Sequence, residues 1–268
     1  MICNLHTHTT FCDGKSTPEE VVVSALEKGF SAIGFSGHGY TEFDLSYCMK
    51  DIEGYNAEIK RLKEKYKKSI QIYLGIEEDM WQYVKREDYD YLIGSCHYIK
   101  KGEKYFSVDE SVEDTKKYLS EFNENPLLMA ESYYENFCSY ILKRKPDIIG
   151  HFDILTKFDE CNNSEPYFLN NKEYHKIAEK YLYEAIKSGS FFEVNTGAIS
   201  RGYRKTPYPY ENLLYILKKT DTKIMLSSDS HSSDNIDFYF NETRELLCDI
   251  GFRYTYILYN NEFTKVKL

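Results

Sequence analysis

The sequence predicts a parallel α/β barrel whose functional side chains gather at one rim. Seven short apolar runs, each the length of a buried strand, alternate with amphipathic or polar segments. Each run is followed by a histidine, an acid or an amide, and six of the seven histidines stand at these positions: His6, His8, His38, His97, His151 and His231. Functional groups of a parallel barrel collect at the carboxyl ends of its strands, so these side chains are expected to converge.

The predicted elements alternate along the chain as a barrel requires. A capping box with proline at the first helical position, Thr17-Pro18-Glu19-Glu20, begins the first helix, and Gly29 ends it. The later helices are predicted from apolar residues at helical spacing. The predicted helices cover residues 18–28, 49–68, 112–122, 126–142, 171–187, 210–219 and 240–249, and the apolar runs cover 2–5, 32–35, 72–76, 91–94, 147–150, 191–195 and 223–226.

Four segments fall outside this alternation. Residues 100–145 are long for one connection and are expected to form a lid or a wall of the site. Residues 159–171 are polar and predict a loop, and the loop 196–209 is rich in glycine and proline and carries a basic cluster. A last apolar strand, 254–259, either closes the structure or pairs at its edge. No linker or repeat divides the chain, so residues 1–268 are predicted to form a single domain.

Composition excludes several classes of function. The net charge of −9 disfavours nucleic acid as the partner. The sequence has no apolar stretch of 18 residues and no signal-peptide pattern at the N-terminus, so no membrane association is expected. Seven cysteines without a Cys-x-x-Cys pair are typical of reduced thiols in a cytoplasmic protein. A small molecule is the expected partner, and the oligomeric state stays open.

Two carboxylates join the histidines on physical grounds. Glu77 and Asp229 each end a run that should be buried, and an unpaired buried carboxylate is costly enough to require a cation or a proton. Alternation along an extended strand places Asp79 on the side of Glu77 and turns Glu78 away. The same alternation groups Ser95 with His97, His151 with Asp153 and Asp229 with His231, and turns Cys96 away as a packing thiol, as Cys12 is also expected to be. His175, on a predicted helix, is expected to be a surface or packing histidine.

Taken together, the motifs resemble the polymerase-and-histidinol-phosphatase (PHP) superfamily. They are H-x-H at 6 and 8, Asp13, G-H at 37–38, G-I-E at 75–77, S-x-H at 95–97, G-H-x-D at 150–153 and D-x-H at 229–231. The resemblance implies a distorted (β/α)7 TIM-like barrel with a trinuclear metal centre. The chain length, the arginines after Asn195-Thr196-Gly197 and the Tyr208-Pro209 step are similar to the monofunctional histidinol-phosphate phosphatase type. That type implies hydrolysis of L-histidinol phosphate to L-histidinol and phosphate in histidine biosynthesis.

Three divalent ions, which could be zinc, iron or manganese, follow from the resemblance. The first would be bound by His6, His8, Glu77 and Asp229. The second would share Glu77 and add His97 and His151. The third would be bound by Asp13, His38 and His231, and the oxygen ligand Asp13 leaves the identity of that ion open.

A chemical mechanism can be written for such a centre. A hydroxide bridging two ions about 3.5–4 Å apart would attack the phosphoryl group. Arg201 or Arg204 would neutralise its charge, with Arg201 favoured because it lies nearest the strand end and Lys205 as a further candidate for phosphate binding. The leaving alcohol would take a proton through water from Asp229, His231 or Asp153. The side chains expected to line the pocket for the substrate amine and imidazole are Tyr40, Glu42, Tyr98, Asp79 and Trp81.

Three alternatives remain at this stage. A PHP phosphatase for another substrate, such as phosphotyrosine or a nucleotide phosphate, would keep every metal ligand. A PHP exonuclease would need a basic groove for a strand, which the acidic composition disfavours. A non-catalytic metal-binding regulatory module would bind metals without turning over any phosphate monoester.

Overall fold

The computed structural model describes residues 1–161 and 166–268. Its strands are β1 (Cys3–Asn4), β2 (Ala32–Phe35), β3 (Gln71–Asp79), β4 (Tyr91–Ser95), β5 (Tyr98–Lys101), β6 (Lys104–Ser107), β7 (Ile148–Ile149), β8 (Phe191–Asn195), β9 (Ile224–Ser227), β10 (Tyr254–Tyr259) and β11 (Glu262–Lys267). Its helices are α1 (Pro18–Glu27), α2 (Ile52–Tyr66), α3 (Val112–Glu121), α4 (Pro126–Arg144), α5 (Lys172–Ile186), α6 (Gly197–Ser200), α7 (Glu211–Lys219) and α8 (Phe240–Ile250).

The seven strands that coincide with the predicted apolar runs form one parallel sheet in the order β1-β2-β3-β4-β7-β8-β9. A parallel bridge between Thr7 and Ser230 joins the two edge strands just beyond their ends. There the His8 amide donates to the Ser230 carbonyl at 2.8 Å, and the Ser230 amide donates to the His6 carbonyl at 3.2 Å. The sheet is therefore a nearly closed seven-stranded barrel, and the predicted fold class is confirmed.

The barrel interior is filled by a cluster of buried side chains that is separate from the larger core under the helices. The ring of Tyr91 lies across the interior, and its hydroxyl donates to the Leu5 carbonyl. Gly75 on the neighbouring strand makes room for this ring, since a Cβ there would lie 2.2 Å from it. Ile257 and Leu258 of β10 complete the interior cluster. The metal-binding rim thus rests on a packed apolar floor.

The helices cover the outside of the barrel and begin where the sequence predicts. Thr17 and Glu20 form the reciprocal capping box of α1, with Pro18 at its first position. The longest helix, α4, begins after Asn125, whose side chain accepts hydrogen bonds from the next amides. Its buried aromatic residues pack in the core between the barrel and α5. Predicted and observed helix ends differ by at most three residues, which is the usual uncertainty of helix boundaries.

Two hairpins are the main departures from the predicted element list. Residues expected to form a loop at the start of the 100–145 segment belong instead to the antiparallel pair β5–β6. The predicted strand 254–259 is β10, and it pairs with β11, which was not predicted. The predicted loop 159–171 contains residues 162–165, which lie outside the described residues. Among the helices that are described, none has the length and apolar character needed to cross a bilayer.

Candidate metal centre

Glu77, near the end of β3, lies at the centre of the rim and is 1% exposed. Its Oε1 accepts a hydrogen bond from the Ser95 hydroxyl at 2.6 Å. The same oxygen lies 3.0 Å from His151 Nε2 and 3.5 Å from His97 Nε2. Because β3 pairs with β4 and β4 pairs with β7, the parallel register carries these side chains to the same level.

The second oxygen of Glu77 faces the other histidines. Oε2 lies 2.9 Å from His38 Nδ1, 3.3 Å from His6 Nε2 and 3.5 Å from His8 Nε2. The two carboxylate oxygens therefore divide the imidazoles into two sets on either side of one residue. This arrangement is suited to a carboxylate that is shared between two ions.

Asp229, two residues after β9, is the second buried carboxylate of the rim. Its Oδ1 lies 3.0 Å from His8 Nε2 and 3.6 Å from His6 Nε2. Its backbone is left-handed, with φ of 46°, a conformation that is strained for a residue other than glycine. Gly197 permits the close approach of the neighbouring loop, since a Cβ there would lie 2.8 Å from Asp229 Oδ2.

A third group of ligand-type side chains lies at the more open side of the rim around Asp13, whose side chain is 32% exposed. Asp13 Oδ2 lies 3.1 Å from His231 Nε2, and Oδ1 lies 3.7 Å from both His38 Nε2 and His8 Nδ1. The rings of His8 and His231 are stacked, with centroids 4.2 Å apart. His8 thus borders both this group and the Glu77 group.

All nine residues predicted as metal ligands converge at this rim. Among the described residues, they make up four overlapping groups in which the ligand atoms of each group lie within 4.8 Å of one another: His8, Asp13, His38 and His231; His6, His151 and Asp229; His6, His8 and Glu77; His38, Glu77 and His97. The rim can therefore hold several divalent ions.

The donor atoms themselves indicate that cations fit this site. Among the described residues, two buried imidazole nitrogens that face the rim carboxylates, His6 Nε2 and His8 Nε2, have no hydrogen-bond partner of good geometry. Leaving buried polar atoms unpaired costs free energy at each one, and a bound ion would remove that cost. Imidazole with carboxylate is a donor set that zinc, manganese and iron all accept.

The PHP domain family model matches residues 4–197, which is more than half of the chain and includes most of the rim. The chain belongs to the PHP domain family. It is 26% identical to a probable histidinol-phosphatase of Schizosaccharomyces pombe, over 92% of this chain and 86% of the relative. It is also 26% identical to a histidinol-phosphatase of Lactococcus lactis, over 92% of this chain and 90% of the relative.

The PHP fold is also found in solved structures. A histidinol phosphate phosphatase from Lactococcus lactis, complexed with zinc, L-histidinol and phosphate, superposes with a TM-score of 0.70 at 20% identity. The alignment covers 98% of each chain. At this identity, the likeness establishes the shared barrel fold.

The charges of the PHP rim are strongly coupled. Burial disfavours protonation of His97, but the carboxylates of Glu77, Asp79 and Asp109 together outweigh it and raise the pKa of His97 to about 9. Burial would raise the pKa of Glu77, yet His6, His38 and His97 hold it well below its usual value. His8 differs, because burial and the neighbouring His231 and His38 lower its pKa to about 3. Bound cations would compensate the carboxylates and leave the imidazoles neutral.

Sequence reasoning missed Glu193, a fully buried carboxylate on β8. It lies 2.8 Å from His6 Nδ1 and accepts a hydrogen bond from the His151 amide at 2.5 Å. Burial would raise the pKa of Glu193, but His6 and His151 hold it below its usual value. The signal was present, since Glu193 interrupts an apolar run in the same way as Glu77 ends one.

The rim opens into a pocket of about 210 Å³. Arg201 reaches it from the loop after β8, where its Nη2 lies 3.1 Å from Asp229 Oδ2 and its Nη1 lies 3.0 Å from His231 Nδ1. Lys157 and Asp109 form an ion pair of 3.1 Å on the pocket wall. Besides residues of the rim, the pocket is lined by Tyr47, Tyr98, Ser107, Asp109, Glu110, Ile154, Lys157, Arg201 and Tyr203.

The structure does not place Asp153 and Arg204 in this pocket. Both side chains are fully buried, with Arg204 Nη1 3.7 Å from Asp153 Oδ2. The guanidinium of Arg204 also lies over the ring of Tyr208, 4.4 Å from its centroid. The expectation that Asp153 shares the face of His151 was wrong, because β7 ends at Ile149 and the chain turns into a 3₁₀ helix after Asp153. Strand alternation does not extend beyond the strand.

Other sequence expectations have mixed outcomes. Lys205 is exposed and does not line the pocket, and its backbone amide donates to Glu160. Of the five residues expected to line the pocket for the amine and imidazole, Tyr98 does, whereas Tyr40, Glu42, Asp79 and Trp81 are not among its lining. Asp79 instead accepts a hydrogen bond from the His97 amide at 2.9 Å. His175 pairs with Tyr210 away from the rim.

Two predicted orientations on strands β3 and β4 are correct. Glu78 turns away from the rim and accepts hydrogen bonds from Tyr140 and Arg144. Cys96 is fully buried in the core under the helices. Cys12 is half-buried, and its Sγ lies 3.6 Å from His8 Nδ1.

Proposed function

We propose that this PHP chain is a metal-dependent phosphomonoesterase that hydrolyses L-histidinol phosphate to L-histidinol and phosphate. The observation that carries the proposal is the convergence of nine imidazole and carboxylate ligands beneath a pocket that Arg201 enters. Two relatives aligned over 92% of this chain bear the name histidinol-phosphatase. The Lactococcus lactis structure with zinc, L-histidinol and phosphate supports the same substrate.

In this proposal the rim residues bind three divalent ions. Glu77 is shared between two of them, with His6, His8 and Asp229 on one side and His97 and His151 on the other. Asp13, His38 and His231 hold the third. When bound, such ions supply a nucleophilic water at neutral pH and neutralise charge on the phosphoryl oxygens.

Arg201 is the phosphate-binding residue of the proposal. Asp229 and His231 hold its guanidinium beside the metal ligands, so the fork is oriented before the substrate arrives. A guanidinium can pair with two phosphate oxygens at once and stabilises charge that grows in the transition state. Lys157 also lines the pocket, where it is paired with Asp109 at 3.1 Å.

Proton delivery to the leaving alcohol falls to the residues that reach the pocket. Of the three candidates predicted from sequence, Asp229 and His231 line it, whereas Asp153 lies in the interior paired with Arg204. We therefore propose that the proton reaches the alcohol through water beside Asp229 and His231.

The pocket wall favours a substrate that carries a cation as well as a phosphate. Asp109 and Glu110 bring negative charge, and Tyr47 and Tyr98 supply aromatic surface. Burial would raise the pKa of Asp109, but Lys157 and His97 lower it to about 2, so this carboxylate is charged at neutral pH. An ammonium or imidazolium group is complementary to such a wall.

The 100–145 segment supplies part of this wall. Ser107, the last residue of β6, and Asp109 and Glu110, just after it, line the pocket. We propose that the segment is a fixed wall within a single domain that spans residues 1–268. All seven cysteines are free thiols, which agrees with the cytoplasmic location predicted from sequence.

A substrate panel tests the proposal. Phosphate release would be compared for L-histidinol phosphate, p-nitrophenyl phosphate, AMP and phosphotyrosine, with manganese, iron or zinc supplied. The proposal expects the highest kcat/KM for L-histidinol phosphate. A higher value for AMP or phosphotyrosine would assign another substrate, and bound metals without turnover of any ester would indicate a regulatory module.

A further inference from the structure

The buried carboxylate of Glu193 connects two histidines that come from opposite parts of the chain. Its Oε2 lies 2.8 Å from His6 Nδ1 and accepts a hydrogen bond from the Ser227 hydroxyl at 2.7 Å. Its Oε1 accepts hydrogen bonds from the His151 amide at 2.5 Å and from the Asn195 side chain at 2.9 Å. Each oxygen therefore has two donors, and the side chain is 1% exposed.

This contact determines which nitrogen of His6 faces the rim. A carboxylate can only accept, so the proton of the neutral His6 ring must sit on Nδ1. The lone pair is then on Nε2, which lies 3.3 Å from Glu77 Oε2 and 3.6 Å from Asp229 Oδ1. Among the residues that the structure describes, His6 Nε2 has no hydrogen-bond partner. The ring is thus held in the one tautomer and orientation in which it can bind an ion.

His151 is held through its backbone. Its amide donates to Glu193, and its Nε2 reaches Glu77 Oε1 at 3.0 Å. β7 ends at Ile149, so no strand pairing of this sheet fixes His151 itself. Glu193, on the adjacent strand β8, supplies the contact that the strand does not.

We propose that Glu193 is a positioning residue that orients the ring of His6 and, through its backbone, His151, and so determines the occupancy of the ion that His6 binds. The other proposed ligands of that ion, His8, Glu77 and Asp229, lie with His6 in the candidate ligand groups. Glu193 does not contact that ion in this proposal, since its oxygens are occupied by His6, His151, Ser227 and Asn195. The inference rests on the proposed metal centre and is independent of the substrate.

Replacing Glu193 with glutamine gives a specific expectation. The new amide nitrogen must lie at one of the two oxygen positions, each of which now faces two donors. At the Oε1 position it would oppose the His151 amide, which can only donate. At the Oε2 position it can donate to His6 Nδ1 if that ring shifts its proton to Nε2, and Ser227 can rotate to accept. Glu193→Gln therefore favours the tautomer that points a proton, instead of a lone pair, at the ion.

Glu78 offers a matched control. It is also a fully buried glutamate that accepts four hydrogen bonds, from Val84, Tyr140 and two nitrogens of Arg144. It lies beside Glu77 in sequence but faces away from the rim. Glu78→Gln removes the same charge from the interior without touching a histidine, so it reports any general effect of such a substitution.

The experiment measures metal content per chain and metal affinity after identical loading and desalting of wild type, Glu193→Gln and Glu78→Gln. Glu193→Gln is expected to lose about one ion per chain, with affinity for that ion weakened about 10–100-fold, and to keep the ions of the Asp13 group. Nitrogen-15 NMR of zinc-loaded wild type is expected to show the His6 proton on Nδ1, and Glu193→Gln is expected to lose that Nδ1–H signal. Glu78→Gln is expected to match wild type in both measurements.

The proposal is overturned if Glu193→Gln is folded and keeps the wild-type metal content, affinity and His6 tautomer. It is also overturned if Glu78→Gln loses the same ion. Should Glu193→Gln fail to fold, Glu193→Asp carries the test, because it keeps the charge and withdraws it from His6; unchanged metal content in that variant would contradict the proposal. A wild-type chain that binds no metal would instead refute the metal centre itself.

Discussion

The structure separates the two arginines that the sequence proposes for phosphate binding, and this separation gives a quantitative prediction. Arg201 lies at the pocket with its side chain 29% exposed, whereas Arg204 is fully buried with Asp153. Removing Arg201 takes away transition-state charge stabilisation and should lower kcat/KM by about 100–1,000-fold, or about 2.7–4 kcal/mol. The kcat/KM of Arg201→Lys should lie between those of wild type and Arg201→Ala, since lysine keeps the charge but cannot pair with two phosphate oxygens at once. Because the ion pair between Arg201 and Asp229 is partly exposed, Arg201→Ala should cost no more than about 1 kcal/mol of stability.

Arg204→Ala should show the opposite pattern. It leaves the Asp153 carboxylate buried without its cation, which costs about 3–5 kcal/mol of unfolding free energy. For a domain of this size, that is a fall in Tm on the order of 10 °C. The activity of the folded fraction should change much less than in Arg201→Ala. The double variant Asp153→Leu/Arg204→Met should regain much of the stability, because a buried ion pair can be replaced by apolar residues.

The assays are thermal unfolding by circular dichroism and steady-state phosphate release from L-histidinol phosphate at 25 °C with metal supplied. We expect Arg201→Ala to lose kcat/KM with little change in Tm, and Arg204→Ala to lose Tm with a much smaller change in kcat/KM. It would be refuted if Arg204→Ala kept the wild-type Tm and lost as much kcat/KM as Arg201→Ala, since Arg204 would then act at the phosphate.

Three further predictions concern the rim and the pocket. Glu77→Gln should lower kcat by at least about 100-fold and reduce metal content, because the lost carboxylate faces both sets of histidines; unchanged metal content by elemental analysis would contradict this. Chelation should abolish turnover and lower Tm, since ions that bind only the native chain stabilise it, and re-addition of manganese or zinc should restore both. Asp109→Asn should raise KM for L-histidinol phosphate more than for p-nitrophenyl phosphate, which has no amine. Because its pKa is lowered to about 2, Asp109 is charged throughout the neutral range, so the variant removes a charge from the pocket; an equal change in KM for both substrates would exclude Asp109 from binding the amine.

The barrel could be predicted because its signals are local. Each buried strand is a short apolar run, and most helices begin after a residue whose side chain caps the first amides, such as Thr17 or Asn125. Strands β5, β6 and β11 were missed because they carry charged residues and contain no long apolar run. A turn signal did exist at Asn260-Asn261, which both adopt positive φ, the conformation of a type I′ turn.

The metal ligands were predictable for a related reason. Glu77 lies within β3 and His97 lies only two residues beyond β4, so the direction of the strand still sets the orientation of both side chains and alternation could place them. Asp153 and Arg204 could not, because both follow the ends of regular structure and their orientation is set by contacts distant in sequence. Glu193 was within reach of the same argument that identified Glu77, but it was passed over because it lies inside its run and not at the end.

The proposed phosphatase activity depends on cations bound among the strand-end side chains. Anomalous diffraction from crystals of the purified protein, recorded at the absorption edges of zinc, manganese and iron, tests this most directly. We expect two peaks within ligand distance of Glu77, one beside His6 and His8 and the other beside His97 and His151. A third peak is expected beside Asp13. Well-ordered rim side chains without an anomalous peak between them, in crystals of protein loaded with each metal, would contradict the proposed metal centre.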